Sequence, residues 1–196
     1  MNVAILKYNA GNIRSVDFAL QRLGINALIT DNPEELIAAD RVIFPGVGEA
    51  SSAMNYLRTH QLDKLIINLK QPVLGICLGM QLLCKSSEEN NAECLGIFDQ
   101  KVKRFPETGL KIPQIGWNNI YRLSSDLFDE IKENDYMYFV HGYYVEKCNE
   151  SIAMANYGLE YSAAIRKDNF FAVQFHPEKS GISGQKILEN FLNIEL

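Results

Sequence analysis

The chain has 196 residues but no pair of cysteines spaced C-x-x-C, although four cysteines are present (Cys77, Cys84, Cys94, Cys148). No metal site or cofactor motif is read from it, and the thiols are expected to be reduced ones in a cytoplasmic protein. An excess of positive charge is also lacking. The formal net charge is −5, which argues against phosphate-backbone binding as the main activity. No apolar run approaches the length of a membrane span. The opening MNVAILKY has no basic region ahead of a long apolar segment, so it reads as a first strand and not as a signal peptide. Internal repeats, low-complexity tracts, linkers and a nucleotide-binding P-loop are all missing. Residues 1–196 are therefore expected to form a single domain, with ample core for independent stability.

What is present is a regular alternation. Val3–Tyr8 is an apolar run, followed by a polar turn and a helix in which Val16, Ala19, Leu20 and Leu23 recur at helical spacing until Gly24. Ala27–Thr30 is a second strand, and Asn32-Pro33 is a helix start with Asn32 as cap. Arg41–Pro45 is a third strand, followed by helices over about 50–60 and 62–70. Pro72–Cys77 is a fourth strand, with a helix after it to about Cys84. Strands alternating with helices predict an α/β, doubly wound, mostly parallel open sheet. The pattern changes after Ser86, where short strands and prolines from Leu95 to Leu123 predict a small antiparallel excursion. Tyr136–His141 and Ile152–Tyr157 read as strands. Lys167-Asp168-Asn169 is a hairpin turn between Tyr161–Arg166 and Phe170–His176. A helix over Ser183–Leu192 closes the chain.

Gly75-Ile76-Cys77-Leu78-Gly79 is the cysteine form of a nucleophile elbow. Glycines on both sides let strand and helix pack closely. A sulfur at a helix N-terminus is favoured as thiolate, so Cys77 is the candidate nucleophile. It needs a base, and three histidines are available. His60 reads as a solvated helix-end residue. His141 reads equally as a packed strand-end residue or a site-lining one. His176 ends an apolar run and precedes Pro177-Glu178. In an extended segment positions i and i+2 point the same way, which would place Glu178 to orient the His176 ring. The alternative is a chance His-Pro-Glu in a surface turn. Pro45-Gly46-Val47-Gly48 also ends a strand, on the edge where open parallel sheets bind ligands. The backbone N–H groups of Val47 and Leu78 are the candidate oxyanion donors; losing one such donor costs about 10²–10³ in rate.

Gly75-Ile76-Cys77-Leu78-Gly79-Met80-Gln81, Pro45-Gly46-Val47-Gly48 and Gln174-Phe175-His176-Pro177-Glu178 together resemble the class I, or triad, glutamine amidotransferases. The resemblance covers essentially the whole chain. It implies a flavodoxin-like fold and hydrolysis of glutamine through a γ-glutamyl thioester. Cys77 would be the nucleophile, His176 the general base and acid, and Glu178 the orienting carboxylate. Tyr8 to Ser15, Pro113 to Asn118, Tyr138 to Tyr144 and His176 to Ser180 are further similar to the glutaminase subunits of imidazole glycerol phosphate synthases, in histidine biosynthesis. The chain departs from that branch at Lys7, at Asn9 and at Gly142, where a serine or threonine is usual. The resemblance implies glutamine contacts from Gly48, Gln81, Glu89, Gly142 and Tyr143, with Glu88 an alternative register for Glu89. It also implies a partner face at Asn12, Trp117, Tyr138 and Lys179, with a buried core position as the alternative for Trp117. The partner would be a (β/α)8-barrel cyclase subunit in a heterodimer that receives the ammonia; no nucleic acid or membrane is implied. Another Cys-His-Glu hydrolase on the same fold, such as a γ-glutamyl hydrolase or a peptidase-like relative, is the alternative enzyme. A binding module that has lost activity is the non-enzymatic one.

Overall fold

The computed structural model describes residues 1–196 except Ala10 and Thr108. In chain order its elements are β1 (Val3–Leu6), α1 (Ile13–Arg22), β2 (Leu28–Thr30), α2 (Pro33–Ala38), β3 (Arg41–Phe44), α3 (Ala50–Thr59), α4 (Leu62–Ile66) and β4 (Val73–Ile76). Then come α5 (Leu78–Leu83), β5 (Cys84–Ser87), β6 (Ala92–Glu93), β7 (Phe98–Arg104), β8 (Gln114–Asn119), β9 (Tyr136–His141) and β10 (Tyr143–Val145). The last four are β11 (Ser151–Asn156), β12 (Glu160–Lys167), β13 (Phe170–Val173) and α6 (Gly181–Asn193).

The main sheet has seven strands in the order β11-β12-β13-β4-β3-β1-β2. Every pairing from β13 to β2 is parallel, and β12 and β11 extend it antiparallel. Its strands are apolar on both faces because both are covered. Val3 and Ile5 join one core with Val16 and Leu20 of α1 and Ile187 and Phe191 of α6. The alternate residues Ala4 and Leu6 join the other with Leu36, Leu57 and Ile66 of α2 to α4. No helix among the described residues is long and apolar enough to cross a membrane.

Several local expectations hold. The Asn32 side chain accepts from the Glu34 N–H at 2.8 Å, and Asp168 in the β12–β13 turn has φ 52°. Others do not. The second helix after β3 stops at Ile66, short of Lys70. The small antiparallel excursion is present, as a four-stranded sheet β10-β7-β5-β6 in which the β5–β7 pairing alone is parallel and as a separate antiparallel ribbon of β8 and β9. The strand expected to run to His176 leaves the ladder at Val173. The carboxyl ends of β3, β4 and β13, three adjacent strands, therefore deliver Pro45-Gly46, Cys77 and the segment up to His176 to one edge of the sheet.

Candidate active site

Cys77 sits between β4 and α5 with φ 54° and ψ −106°. That is a sparsely populated conformation for a side-chain-bearing residue, held here because the Cys77 N–H donates to Val173 O at 2.8 Å. The turn closes only because Gly79 has no side chain. A Cβ there would stand 1.9 Å from the Phe44 carbonyl oxygen of β3. The Cys77 Sγ lies 3.6 Å from Val140 O and 3.7 Å from Gln174 Nε2.

His176 and Glu178 are both buried, and His176 Nδ1 is 2.8 Å from Glu178 Oε1. The pair does not form through an extended segment, as the i, i+2 argument expected. Pro177–Lys179 is a turn of 3-10 helix, and the turn folds the carboxylate back under the ring. Asn12, with φ 75° at the start of α1, donates its side-chain amide to the same Glu178 Oε1 and stands 3.4 Å from His176 Nδ1. His176 Nε2 is buried with no hydrogen-bond partner among the described residues. Burial opposes charge on this ring, but the negative charge of Cys77, then that of Glu178, outweighs it and raises the His176 pKa from 6.5 to about 10. The ring is held protonated, facing the Cys77 side chain.

The elbow opens on a cavity of about 560 Å³ lined by Val47, Gly48, Cys77, Leu78, Gln81 and Glu89, together with Gly142 and Tyr143. The expected oxyanion donors are not both free. The Leu78 N–H donates to the Gly46 carbonyl at 3.3 Å. In a trans peptide the C=O and N–H point in opposite directions, so the Val47 N–H points away from the elbow. Glu89 reaches the cavity, where its Oε2 accepts from the Ala50 N–H at 2.8 Å, and burial raises its pKa. Glu88 does not line the cavity and pairs instead with Lys101 Nζ at 3.1 Å. Gln81 Nε2 donates to Tyr143 O at 3.2 Å and to Gln174 Oε1 at 3.0 Å. Gly142 borders open space: a Cβ there would come no nearer than 3.7 Å to Ile112.

His141 is buried, and burial lowers its pKa to about 4, with the nearby His176 adding to the effect. Its neutral ring donates from Nδ1 to Tyr143 O at 2.7 Å, so it braces the cavity wall. His60 is an exposed ring stacked on Tyr56, away from the cavity. Trp117 is 55% exposed, which removes the core alternative, and its ring meets Tyr138 edge-on at 5.9 Å. Lys179 is exposed in the turn after His176. Two residues that the sequence left without a role stand out. Gln174 is fully buried and links Gln81 to the Cys77 sulfur; its place two residues before His176 was the one local signal. Tyr8 donates its hydroxyl to Pro45 O at 2.7 Å and so fixes the base of the Gly46-Val47 loop.

The profile of the family described as glutamine amidotransferase class-I matches residues 5–194. The chain belongs to this family. It is 56% identical to "Imidazole glycerol phosphate synthase subunit HisH" of Bacteroides thetaiotaomicron over 196 residues, covering 99% of this chain and 100% of the relative. The protein of the same name from Haemophilus influenzae (strain ATCC 51907 / DSM 11121 / KW20 / Rd) is 48% identical over 193 residues, covering 98% of this chain and 97% of the relative. Among solved structures, a glutamine amidotransferase matches with a TM-score of 0.76 at 20% identity, covering 98% of each chain. Another glutamine amidotransferase, from Thermotoga maritima, matches with a TM-score of 0.67 at 18% identity, covering 98% of this chain and 83% of that one. These two structural matches show the amidotransferase fold.

Proposed function

We propose that this chain, with residues 1–196 as one domain, is the glutamine-hydrolysing subunit of an imidazole glycerol phosphate synthase working in the cytoplasm. Its partner would be a (β/α)8-barrel cyclase subunit that takes the ammonia to make imidazole glycerol phosphate and aminoimidazole carboxamide ribonucleotide in histidine biosynthesis. The observation that carries the chemistry is Cys77 on a positive-φ elbow beside an unpartnered His176 Nε2, with Glu178 on the other ring nitrogen. The Cys77 thiolate attacks the carboxamide carbon of glutamine. His176 gives its proton to the departing ammonia, then takes one from the water that cleaves the thioester and releases glutamate. Glu178 keeps the ring oriented through both steps.

The resting state lacks an oxyanion hole, since the Gly46 carbonyl holds the Leu78 N–H. Turning the Gly46–Val47 peptide over would release Leu78 and present a second donor from Val47. Gly48, at φ 124°, gives the loop the freedom for that turn. A partner that binds the turned state better would raise its population. The surface beside the site suits such a partner. Ile115, Trp117 and Ile182 are 57%, 55% and 91% exposed, Tyr138 adjoins Trp117, and Lys179 is exposed in the turn after His176.

Glutamine turnover should be low for the isolated chain and rise by at least about 10²–10³-fold in the cyclase complex with its nucleotide bound, the worth of one of the two oxyanion donors gained. Cys77→Ala should abolish it. A Cys77→Ala complex that still released ammonia from glutamine would overturn the assignment, and full activity without the partner would overturn the switch.

A further inference from the structure

The cavity holds two opposite charges that are not paired with each other. Glu89 lines one part of it, its carboxylate accepting from the Ala50 N–H and from no other group among the described residues. Arg104 lines another. Arg104 is the last residue of β7 and stands opposite Tyr143 of β10 in the antiparallel register. Its backbone N–H is used by Glu88 Oε2 at 2.9 Å. Its guanidinium makes no ion pair and no hydrogen bond among the described residues.

The neighbouring cations of β7 behave differently. Lys101 pairs with Glu88 at 3.1 Å and Lys103 with Glu146 at 2.7 Å. These two lie on one face of the strand, and Arg104 lies on the other with Val102, which is buried. That inward face runs out of core at Arg104 and opens on the cavity. The unpaired cation is therefore presented to the site and not to a neighbouring acid. Gly142, on the same cavity wall, supplies no side chain and leaves room for a ligand group.

We infer that Arg104 is the carboxylate-recognising residue of this site: its guanidinium takes the α-carboxylate of free glutamine while Glu89 takes the α-ammonium. The inference rests on the glutaminase reading above and adds what selects the substrate. A guanidinium and a carboxylate make charge-assisted hydrogen bonds, in the best geometry two in parallel. One charge of each sign on the lining of one cavity selects a free amino acid over the same side-chain amide within a peptide.

The test uses the cyclase complex with its nucleotide bound, comparing wild type, Arg104→Gln and Arg104→Lys on two substrates. One is L-glutamine. The other is L-glutaminamide, which keeps the reacting amide and the ammonium but has no α-carboxylate. With glutamine, Arg104→Gln should raise KM about 10–100-fold and change kcat less than about threefold, because the lost contact is made equally in ground and transition states. Arg104→Lys should recover part of the loss. With glutaminamide the wild type should itself show the raised KM, and Arg104→Gln should leave it unchanged. An unchanged KM for glutamine, or an equal loss on both substrates, overturns the role of Arg104 while wild-type turnover still stands for the glutaminase. A wild-type complex that hydrolyses neither substrate overturns the glutaminase reading itself, and this role with it.

Discussion

The protein treats its four thiols differently. Burial pushes Cys84 well above its ordinary pKa, Cys94 to about 11 and Cys148 upward, so none of these is a thiolate at neutral pH. Cys77 alone lines the cavity and faces a ring held protonated. Iodoacetamide at pH 7 should therefore label Cys77 at least about tenfold faster than the other three, read by peptide mass mapping, and His176→Gln should remove the advantage. Equal labelling of all four would show that Cys77 is not activated. The same ring sets a pH dependence. Its pKa rises from 6.5 to about 10 on folding, so its contribution to stability is complete below pH 6.5 and lost as pH rises through 10. Melting curves of wild type and His176→Gln should converge across that window; a constant gap would mean the ring is neutral throughout. Cys77, His176 and Glu178 were legible in the sequence because this chemistry admits few residue types and leaves them in short motifs. Gln174 and Tyr8 were not. Their roles are hydrogen bonds to residues 97 and 37 positions away, and beyond the place of Gln174 two residues before His176 nothing local marks such a pairing.

Between residues and molecule, the strand ends decide what is possible. The elbow depends on α5 packing against β3 with almost no clearance. Gly79→Ala would drive a Cβ into the Phe44 carbonyl at 1.9 Å, where both sides are backbone and neither can rotate away. A loss of more than about 3 kcal/mol is expected, seen as a fall in the urea midpoint or as failure to accumulate folded protein. Gly142→Ser meets only ordinary contacts, at 3.7 and 3.8 Å from Ile112 and Pro113, and should stay within about 0.5 kcal/mol of wild type in the same measurement. The main-sheet strands and the Asn32 cap could be read from apolar runs and capping residues. The strand β5 could not. Cys84-Lys85-Ser86-Ser87 has neither β-branched residues nor clean alternation, and it is a strand because β7 and β6 pair with it. The two-residue step from His176 to Glu178 led to the correct pair by the wrong local geometry, since a 3-10 turn and an extended segment can both bring such side chains together.

At the scale of the molecule, the site is tied to an apolar face that this chain leaves uncovered. Ile115 and Trp117 project from β8, Tyr136 and Tyr138 stand opposite on β9, and Ile182 lies at the start of α6. The sequence offered Trp117 and Tyr138 for this face through their motifs; Ile115 and Ile182 emerge only once the ribbon and α6 are assembled. The Tyr138 carbonyl accepts the His176 N–H at 2.8 Å, and its own N–H donates to Ser180 Oγ at 2.9 Å. A partner gripping the Trp117–Tyr138 pair would therefore press on backbone directly bonded to His176. Trp117 is about half exposed, and its edge-on contact with the Tyr138 ring is worth about 0.5–1.5 kcal/mol. Large exposed aromatics of this kind commonly carry about 2 kcal/mol or more of a binding energy. Trp117→Ala should therefore weaken association with the cyclase at least about 30-fold, measured by calorimetric titration, and shift the isolated chain's unfolding free energy by no more than about 1.5 kcal/mol. An unchanged affinity would place the partner elsewhere, and the route from the ribbon to His176 would then have nothing to drive it.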